Sequence, residues 1–378
     1  MRILYICNEY PPAPHGGIGT YVKFLAEALA LKHHVVAIVG FDPTVTHHTV
    51  QQCNGVKVYR FPILGKLPIP FSKPIQFFRE RWYLSSLVKH VCGDFDPDVV
   101  ESYDWSGPLL FKPPRGHLVV RMHGAHTVYC NWLGKRASRL FAAMEKRNLV
   151  FADSLVAVSK LISDRTIRQF GILKIPRVIY NGVSTECFKL ISDIKYDPNK
   201  LLFVGRIHHH KGVDLMVKAL GIVYKKNPDV YLDAVGPTDS TYAKELIRDI
   251  PLEIRSRINF IGRVPNDTLP SVYAGANLCL LPSRVEAFPI VPLESMASGT
   301  PVIMSSLVAA DEIIEDKQDG YVVDPTNAAA FAACILEALS KRSETSQMRT
   351  RCREKILNSF SMDVIVEENE KFYENCLG

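Results

Sequence analysis

Short apolar segments alternate with helical segments along almost the whole sequence. A strand that is buried on both faces is apolar throughout, and the repeat of strand, helix and strand builds parallel sheets covered by helices on both sides. The series starts at Met1 and starts again after residue 185, so we predict two doubly wound α/β domains. The predicted strands are Ile3–Cys7, Val35–Val39, Val56–Phe61, one after Pro97, Leu118–Met122, Leu155–Val158, Leu201–Val204, Val230–Val235, Ile258–Ile261, Ala276–Leu281, Pro301–Met304 and Gly320–Val323.

The length supports two domains, because 378 residues exceed what one hydrophobic core of ordinary size holds. We place the boundary between residues 184 and 185, which gives domains 1–184 and 185–361, and we predict a last helix within residues 362–378. Parallel sheets bind ligands beyond the carboxyl ends of their strands, so the loops at those ends are the candidate sites.

The sequence gives no sign of export or of a membrane span. The longest apolar runs are well short of the 18 residues that a spanning helix needs, and the segment after Met1 reads as a strand. The nine cysteines are scattered and form no CxxC pair, which is typical of reduced thiols. We therefore expect a cytoplasmic protein.

The stretch from Leu281 to Thr300 joins a predicted strand to a predicted helix that begins near Ile290. Glu286 lies in the turn before this helix and Glu294 lies inside it. The turn at residues 286–289 brings backbone N–H groups to the helix N-terminus, where anions and phosphate in particular are attracted. Two carboxylates beside an anion site predict a pocket for a sugar and a ribose linked through phosphates.

A second loop carries two cations. The strand Leu201–Val204 runs into Gly205 and Arg206, and Lys211 and Gly212 follow before the next helix. An arginine can hold two phosphate oxygens at once and a lysine adds a compact charge, so the pair predicts a diphosphate site.

Two loops of the N-terminal half end strands in the same way. Residues 8–20 contain Gly16 and Gly17, which allow the backbone to approach a ligand closely, and His123 follows the strand Leu118–Met122. The glycine loop is a poor dinucleotide fingerprint, because it is too long and because no acidic residue ends the second strand.

Together these segments resemble glycosyltransferases of the GT-B fold, specifically family 4, over nearly the whole chain. The resemblance is carried by EAFPIVPLE followed by SMASGTPVI, by the glycine loop with paired glycines, by the histidine after a strand, and by Gly205-Arg206 with Lys211-Gly212 about 80 positions before Glu286. It implies two Rossmann-like domains that face a central cleft, with the last helix, residues 362–378, packed back on the N-terminal domain.

The resemblance also implies roles for the candidate residues. His123, Arg206, Lys211 and Glu286 would be catalytic: the two cations would hold the diphosphate, and His123 and Glu286 would position the sugar. Glu294 would bind the ribose. The remaining donor-binding residues are implied to be Gly16, Gly17, Val264, Phe288, Pro289 and Ile290. The reaction would retain the anomeric configuration and need no cofactor.

Metal binding is not expected. Asp94, Asp96 and Asp98 read as a solvated turn, since the glycine and the distal glutamate of a calcium loop are absent. His123 and His126 have no third ligand nearby in sequence, and the side chains of three successive histidines at 208–210 diverge.

Charge is divided unequally between the two halves. Residues 1–185 have a net charge of +11 and residues 186–378 a net charge of −5. Two stretches of the first half, 75–91 and 132–147, are amphipathic and basic, and the first also contains Phe77, Phe78, Trp82 and Tyr83. Each fits either a helix in peripheral contact with an anionic membrane or a core helix with a charged outer face. No module that reads nucleic acid is present, so nucleic acid is not an expected partner.

We therefore predict a retaining glycosyltransferase that moves a sugar from a UDP- or GDP-sugar to an acceptor hydroxyl of a lipid-linked glycan or another cell-surface glycoconjugate precursor. An NAD-linked oxidoreductase and a non-catalytic nucleotide-sugar-binding protein are the alternatives. The sequence leaves the donor base, the sugar and the acceptor open.

Overall fold

The computed structural model describes residues 1–13, 16–65, 73–191 and 193–378. The chain forms two compact units. Unit 1 consists of Met1–Asn181 and Met362–Gly378, and unit 2 consists of Gly182–Ser361. The change from unit 1 to unit 2 thus falls a few residues before the boundary predicted after residue 184.

Unit 1 contains an eight-stranded sheet with strand order β3-β4-β2-β1-β5-β6-β7-β8. All neighbours are parallel except β3 and β4, which form an antiparallel pair. The strands are β1 Arg2–Ile6, β2 Val35–Phe41, β3 Thr49–Cys53, β4 Val56–Phe61, β5 Val99–Tyr103, β6 His117–Met122, β7 Ser154–Ala157 and β8 Arg177–Val178.

The helices of unit 1 follow the strands as the repeat predicts. They are α1 Gly17–Leu31, α2 Lys73–Phe95, α3 His126–Trp132, α4 Arg139–Phe151 and α5 Lys160–Phe170. Sequence signals fix some of their ends. The Ser159 hydroxyl accepts a hydrogen bond from the Ile162 N–H at the start of α5, and Gly171 ends the helix in the left-handed conformation.

Unit 2 contains a six-stranded, fully parallel sheet with strand order β11-β10-β9-β12-β13-β14. Its strands are β9 Asp197–Val204, β10 Tyr231–Val235, β11 Ile258–Gly262, β12 Ala276–Leu281, β13 Val302–Ser305 and β14 Tyr321–Val323. Its helices are α6 Val213–Lys226, α7 Thr241–Asp249, α8 Leu252–Arg255, α9 Leu269–Ala274, α10 Ile290–Ala297, α11 Ala328–Ser340 and α12 Arg342–Ser359.

The last helix, α13 Met362–Leu377, is part of unit 1. A buried polar network ties it to the sheet. The Arg121 guanidinium forms an ion pair with Glu101 at 2.7 Å and donates to Asn369 at 2.5 Å, and the Tyr373 hydroxyl donates to Glu101 at 2.7 Å. Buried charges and amides are stabilising only when their partners are present, so α13 completes the interior of unit 1.

Two expectations about local structure are wrong. Gly17 and Gly19 lie in α1 rather than in a loop, because the helix already begins at Gly17. The basic stretch 132–147 is not one helix, since α3 ends at Trp132 and α4 begins at Arg139. The helix expected over 75–91 exists as α2, and its aromatic residues are divided: Phe77 is buried and Tyr83 stacks on Phe41, whereas Phe78 and Trp82 are exposed.

Among the helices that the structure describes, none combines the length and the apolar character that a bilayer span requires.

Candidate functional site

The candidate residues of unit 2 follow two neighbouring strands. β9 is succeeded by Arg206 and a short turn that contains Lys211, and β12 is succeeded by the loop that contains Glu286. The two strands are parallel and paired, with Leu202 beside Cys279, so their carboxyl ends lie at the same edge of the sheet. The structure therefore brings these two loops together.

Lys211 and Glu286 form an ion pair between Nζ and Oε1. The Ser283 hydroxyl donates a second hydrogen bond to the same carboxylate oxygen at 3.0 Å. Both charged side chains keep some contact with solvent. A diphosphate that entered here would meet a lysine held in place by a carboxylate, and that carboxylate has a second oxygen for sugar hydroxyls.

Arg206 is exposed and forms no ion pair with any residue that the structure describes. It follows Gly205 at the end of β9, so it lies at the start of the loop that also contains Lys211. A cation without a carboxylate partner at the end of a parallel strand is suited to an anionic ligand.

An ion pair that was not predicted from the sequence holds the loop after β12 against the turn after β9. The Arg284 guanidinium binds both carboxylate oxygens of Asp214 at 2.7 Å, and it also donates to the backbone oxygen of His209 at 2.8 Å. The Arg284 N–H donates to the His210 oxygen at 2.8 Å. Burial opposes ionisation of Asp214, but the hydrogen bonds from Arg284 and Tyr242 hold the pKa of Asp214 below its usual value. Only the position of Arg284, two residues before Glu286, could have suggested from the sequence that Arg284 belongs to this site.

Gly212 allows these loops to touch. Its φ is +67°, and a Cβ atom at this position would lie 1.9 Å from the Pro282 carbonyl oxygen. Only glycine avoids both the strained dihedral angle and the overlap.

The N-terminus of α10 provides fewer donors than the predicted turn suggested. Pro289 precedes the helix and Pro292 lies in its first turn, and proline has no N–H. Ile290 and Val291 are thus the positions whose N–H groups lack an intrahelical acceptor. The Phe288 side chain is buried against Phe360, so only its backbone could face a ligand.

Glu294 lies within α10, and its carboxylate accepts a hydrogen bond from the Tyr273 hydroxyl at 2.7 Å. Burial raises the pKa of Glu294 to about 7, although the Tyr273 hydrogen bond opposes the increase. Glu286 lies in the non-helical loop before the helix, so helical spacing does not relate the two glutamates and each has its own partner. Val264 follows the edge strand β11 and is half-buried.

The other predicted residues belong to unit 1. The backbone N–H of His123 donates to the Asp104 carboxylate at 3.0 Å. The rings of His123 and Tyr21 are in an edge-to-face contact, with their centroids 5.8 Å apart. Burial and the neighbouring Arg121 charge lower the pKa of His123 to about 3, so its imidazole is neutral at physiological pH. A neutral imidazole does not repel positive charge that develops on a sugar.

The glycine loop of unit 1 leads into α1. Gly16 precedes the helix, and its N–H donates to the Glu9 carboxylate at 2.9 Å. Among the residues that the structure describes, none has an atom within 4 Å of a Cβ atom built on Gly17. Residues 14–15 of the predicted loop lie outside the described residues.

The acidic and histidine motifs have separate partners. Asp94 pairs with His90, Asp96 with Arg115, and Asp98 accepts the Arg2 N–H. His126 contacts the rings of Trp105 and Phe141. Within the described part of the chain, no three His, Cys, Asp or Glu side chains are grouped closely enough to hold a metal ion.

Two family models match the sequence. The model "Glycosyltransferase Family 4" matches residues 15–187, and the model "Glycosyl transferases group 1" matches residues 187–357. The two adjoin and together take in most of the chain.

Similar proteins match over nearly their full lengths. An uncharacterized glycosyltransferase of Methanocaldococcus jannaschii is 27% identical, with 99% of this chain and 98% of the relative covered. The glycogen synthase of Mycobacterium tuberculosis is 25% identical, with 99% and 94% covered. The GDP-mannose-dependent alpha-(1-6)-phosphatidylinositol monomannoside mannosyltransferase of Mycolicibacterium smegmatis is 25% identical, with 92% and 91% covered.

Solved structures share the fold. Sucrose-phosphate synthase from Thermosynechococcus elongatus superimposes with a TM-score of 0.83 at 22% identity, with 99% of this chain and 98% of the other covered. Anabaena HepE in complex with UDP-glucose gives a TM-score of 0.72 at 17% identity, with 99% of both chains covered. The predicted fold is thereby confirmed. The chain has the GT-B fold and belongs to glycosyltransferase family 4.

Proposed function

We propose that this glycosyltransferase moves a hexose from a UDP- or GDP-sugar to an acceptor hydroxyl, with retention of the anomeric configuration and without a metal ion. The observation that carries the proposal is the ion pair of Lys211 and Glu286 at the carboxyl ends of β9 and β12, with Arg206 exposed on the same loop as Lys211. Two cations and a carboxylate at one strand edge match a ligand with a diphosphate and a sugar.

The cations would act on the leaving group. As the bond between the sugar C1 and the diphosphate oxygen breaks, negative charge grows on the diphosphate, and Arg206, Lys211 and the N–H groups of Ile290 and Val291 would stabilise it. Fixed charges of this kind take the place that a divalent ion holds in metal-dependent enzymes.

The remaining residues would position the donor. Glu286 would accept hydrogen bonds from sugar hydroxyls, and Glu294, beside Tyr273, would bind the ribose. The backbone near Val264 would meet the base. Gly16 and Gly17 would approach the phosphates, and neutral His123 would contact the transferred sugar.

Retention would follow from displacement on one face of the sugar. The acceptor oxygen would form its bond to C1 on the face that the diphosphate leaves, and the departing diphosphate oxygen would take the acceptor proton. None of the candidate residues needs to form a covalent intermediate in this scheme, in which the protein acts by orientation and charge.

The names of similar proteins support this donor class. HepE was solved with UDP-glucose, and the Mycolicibacterium smegmatis relative uses GDP-mannose and acts on a phosphatidylinositol monomannoside. We propose a lipid-linked glycan or another glycoconjugate precursor as the acceptor.

A peripheral position on the cytoplasmic face of the membrane would suit such an acceptor. It is supported by the net charge of +11 on residues 1–185 and by exposed basic residues in and after the turn that follows α3, namely Lys135, Arg136 and Arg139. The nine cysteines are all free thiols, as is usual in the cytoplasm.

A donor screen tests the proposal. We expect one of UDP-, GDP- and ADP-sugars to raise the thermal unfolding temperature, since a ligand at a hundred times its Kd stabilises the native state by about 2.7 kcal/mol. Transfer from that donor, with the product anomer read by proton NMR, should show retention. Stabilisation without any turnover would favour a non-catalytic binding protein, and stabilisation by NAD alone would favour an oxidoreductase.

Metal independence has its own test. We expect full activity in excess EDTA, because Arg206 and Lys211 supply the positive charge at the diphosphate. Loss of activity in EDTA that magnesium or manganese restores would contradict this part of the proposal.

A further inference from the structure

The loop that follows β5 in unit 1 has a strained backbone. Ser106 has a φ of +60°, which is uncommon for a residue other than glycine, and Gly107 follows with a φ of +57°. A Cβ atom on Gly107 would lie 2.4 Å from the Met144 carbonyl carbon. Backbone of this kind persists only where its surroundings fix it, and it is concentrated at functional sites.

The surroundings fix this loop from both sides. The buried Glu145 carboxylate accepts the Ser106 N–H at 2.8 Å and the Thr127 N–H at 3.2 Å. The Arg81 guanidinium donates to the Ser106 oxygen at 2.7 Å and to the Gly107 oxygen at 3.0 Å. A carboxylate and a guanidinium thus both hold the backbone of a two-residue turn.

The same loop is joined to His123. Asp104, fully buried, accepts the His123 N–H at 3.0 Å, and its own N–H donates to the Arg121 oxygen at 3.2 Å. The residue between this anchor and the strained turn is Trp105. Its position relative to His123 is therefore set by the backbone and does not depend on a flexible loop.

The Trp105 ring is held but not covered. The rings of His126 and Tyr129 meet it edge to face, with centroid distances of 5.4 and 5.6 Å. The residue nevertheless remains 38% exposed. A fixed indole with an open surface provides a flat, electron-rich area at low cost in conformational entropy.

We infer that Trp105 forms an acceptor subsite in which the indole stacks on a pyranose ring of the acceptor. The inference rests on the proposed glycosyl transfer and deepens it by naming a saccharide as the part of the acceptor that is recognised. The C–H bonds on one face of a pyranose carry partial positive charge and are attracted to the negative face of an aromatic ring. The hydroxyl groups at the rim of the sugar would find polar neighbours in His126 and Ser106.

An acyl chain is a poorer match for this place. A lipid tail would gain most from a continuous apolar groove, whereas Trp105 is bordered by Asp104, Ser106 and His126. The strained turn also argues for a rigid ligand, since an adaptable tail does not require a ring held in one orientation.

Octyl α-glucoside and octyl α-mannoside are suitable probes, with 1-octanol as the probe for a purely apolar ligand. Binding is measured by saturation-transfer NMR, and transfer is measured with the donor that the screen identifies. We expect Trp105→Ala to raise the KM for the glycoside about tenfold, which corresponds to the loss of one aromatic contact, with the KM for the donor unchanged. Trp105→Phe, which keeps a ring, should recover most of the affinity.

Phe111→Ala is the matched control, because Phe111 lies in the same connection between β5 and β6 and is 53% exposed. It should leave both KM values unchanged. The unfolding temperature of each variant, with and without donor, separates a lost subsite from a lost fold.

The inference is overturned if wild-type protein binds neither glycoside, if Trp105→Ala binds them as well as wild type does, or if 1-octanol binds in competition with them as strongly as they bind. These results are independent of the proposed transfer, because glycoside binding is read without the donor. Absence of any reaction with nucleotide sugars, with glycoside binding intact and sensitive to Trp105, would instead refute the proposed function.

Discussion

Burial changes the pKa of candidate residues in both unit 1 and unit 2. It lowers the pKa of His123 to about 3, and it raises the pKa of Glu294 to about 7 and that of Asp104 to about 8. Such shifts are common where groups are held for a chemical task. His123 is therefore a neutral hydrogen-bonding group. The pKa of Glu294 is close to neutral pH, so its carboxyl group could either donate a hydrogen bond to a ribose hydroxyl or accept one from it.

Replacement of Arg206 or Lys211 by alanine should lower turnover about a hundredfold or more, the usual effect of removing one fixed charge contact from a transition state. Arg255→Ala is the control, because Arg255 is also exposed in unit 2 but lies in α8, before the amino end of β11. Steady-state rates with the identified donor provide the measurement, and circular dichroism checks the fold. An unchanged rate in either site variant would remove that residue from the proposed diphosphate site.

The Asp104→Asn variant should gain stability relative to wild type as the pH rises. Burial, followed by the nearby Glu145 charge, places the pKa of Asp104 at about 8, above its value in an unfolded chain. The stability contributed by the protonated acid is therefore complete below about pH 4 and is lost as the pH rises towards 8, by at most about 1.4 kcal/mol per pH unit. Asparagine does not titrate and keeps an oxygen for the His123 N–H.

Urea unfolding of both proteins at pH 5 and pH 8 measures this difference. A difference in unfolding free energy that is the same at both pH values would show that Asp104 does not carry a raised pKa.

At the level of residues, the sequence predicted those contacts whose partners belong to a recognisable motif with a fixed spacing. The spacing of Arg206, Lys211 and Glu286 was sufficient to expect one site, and the structure places Lys211 and Glu286 in contact. The closeness of Arg284 to Glu286 in sequence could have drawn attention to Arg284, but its partner Asp214 and the Asp104 contact with His123 could not be foreseen, because they depend on which side chains meet after two strands have paired. The proline positions around Ile290 were readable and should have limited the donors expected there.

At the scale of elements, the close approach of two loops is the feature that positions Lys211. Gly212→Ala should destabilise the protein by about 2 kcal/mol or more, through a strained φ and an overlap with the Pro282 oxygen. It should also weaken stabilisation by the donor, since the loop with Lys211 must move. Gly134→Ala is a matched control: Gly134 has a φ of +66°, and no atom of the described residues lies within 4 Å of its Cβ position.

The two alanine variants share the dihedral strain, so the difference between their unfolding free energies reports the overlap alone. Equal losses in the two variants would mean that the loops can separate without cost.

The strands could be predicted from the sequence where the run of apolar residues was strong. Val56–Phe61 has the predicted bounds, and the other predicted strands occur within a few residues of theirs. β3 was missed because TVQQC is mostly polar and exposed at the edge of the sheet, and β8 because it has only two residues. Such strands are fixed by pairing with a neighbour and have weak signals of their own.

At the scale of the whole molecule, the chain leaves unit 1 at Asn181 and returns to it at Met362. Asn369 and Tyr373 then supply hydrogen-bond partners to the buried Arg121 and Glu101 in the sheet of unit 1. Arg121 also faces the Tyr21 ring, whose edge meets His123. The interior that supports His123 is therefore complete only after the whole of unit 2 has been made.

The uneven charge along the sequence leads to a prediction about membranes. If the acceptor is attached to a lipid, the basic residues of the N-terminal part, residues 1–181 of unit 1, should bind anionic vesicles, with about 1 kcal/mol from each Lys or Arg near the surface. The structure selects the residues to change. Arg81 is committed to the Ser106 and Gly107 oxygens, whereas Lys135, Arg136 and Arg139 are exposed, as are the apolar side chains of Phe78 and Trp82.

Co-sedimentation with vesicles that contain an anionic lipid, at low and at high ionic strength, measures this binding. We expect wild type to sediment at low salt and to be released at high salt, because screening weakens contacts with the surface charge. Reversal of Lys135, Arg136 and Arg139 to glutamate should release the protein at low salt as well. The control reverses Lys218, Lys225 and Lys226, three exposed lysines on α6 of unit 2, and should leave sedimentation unchanged. Wild type that stays in the supernatant at low salt would rule out membrane docking and favour an acceptor that is free in solution, while the assignment to the glycosyltransferase family would stand.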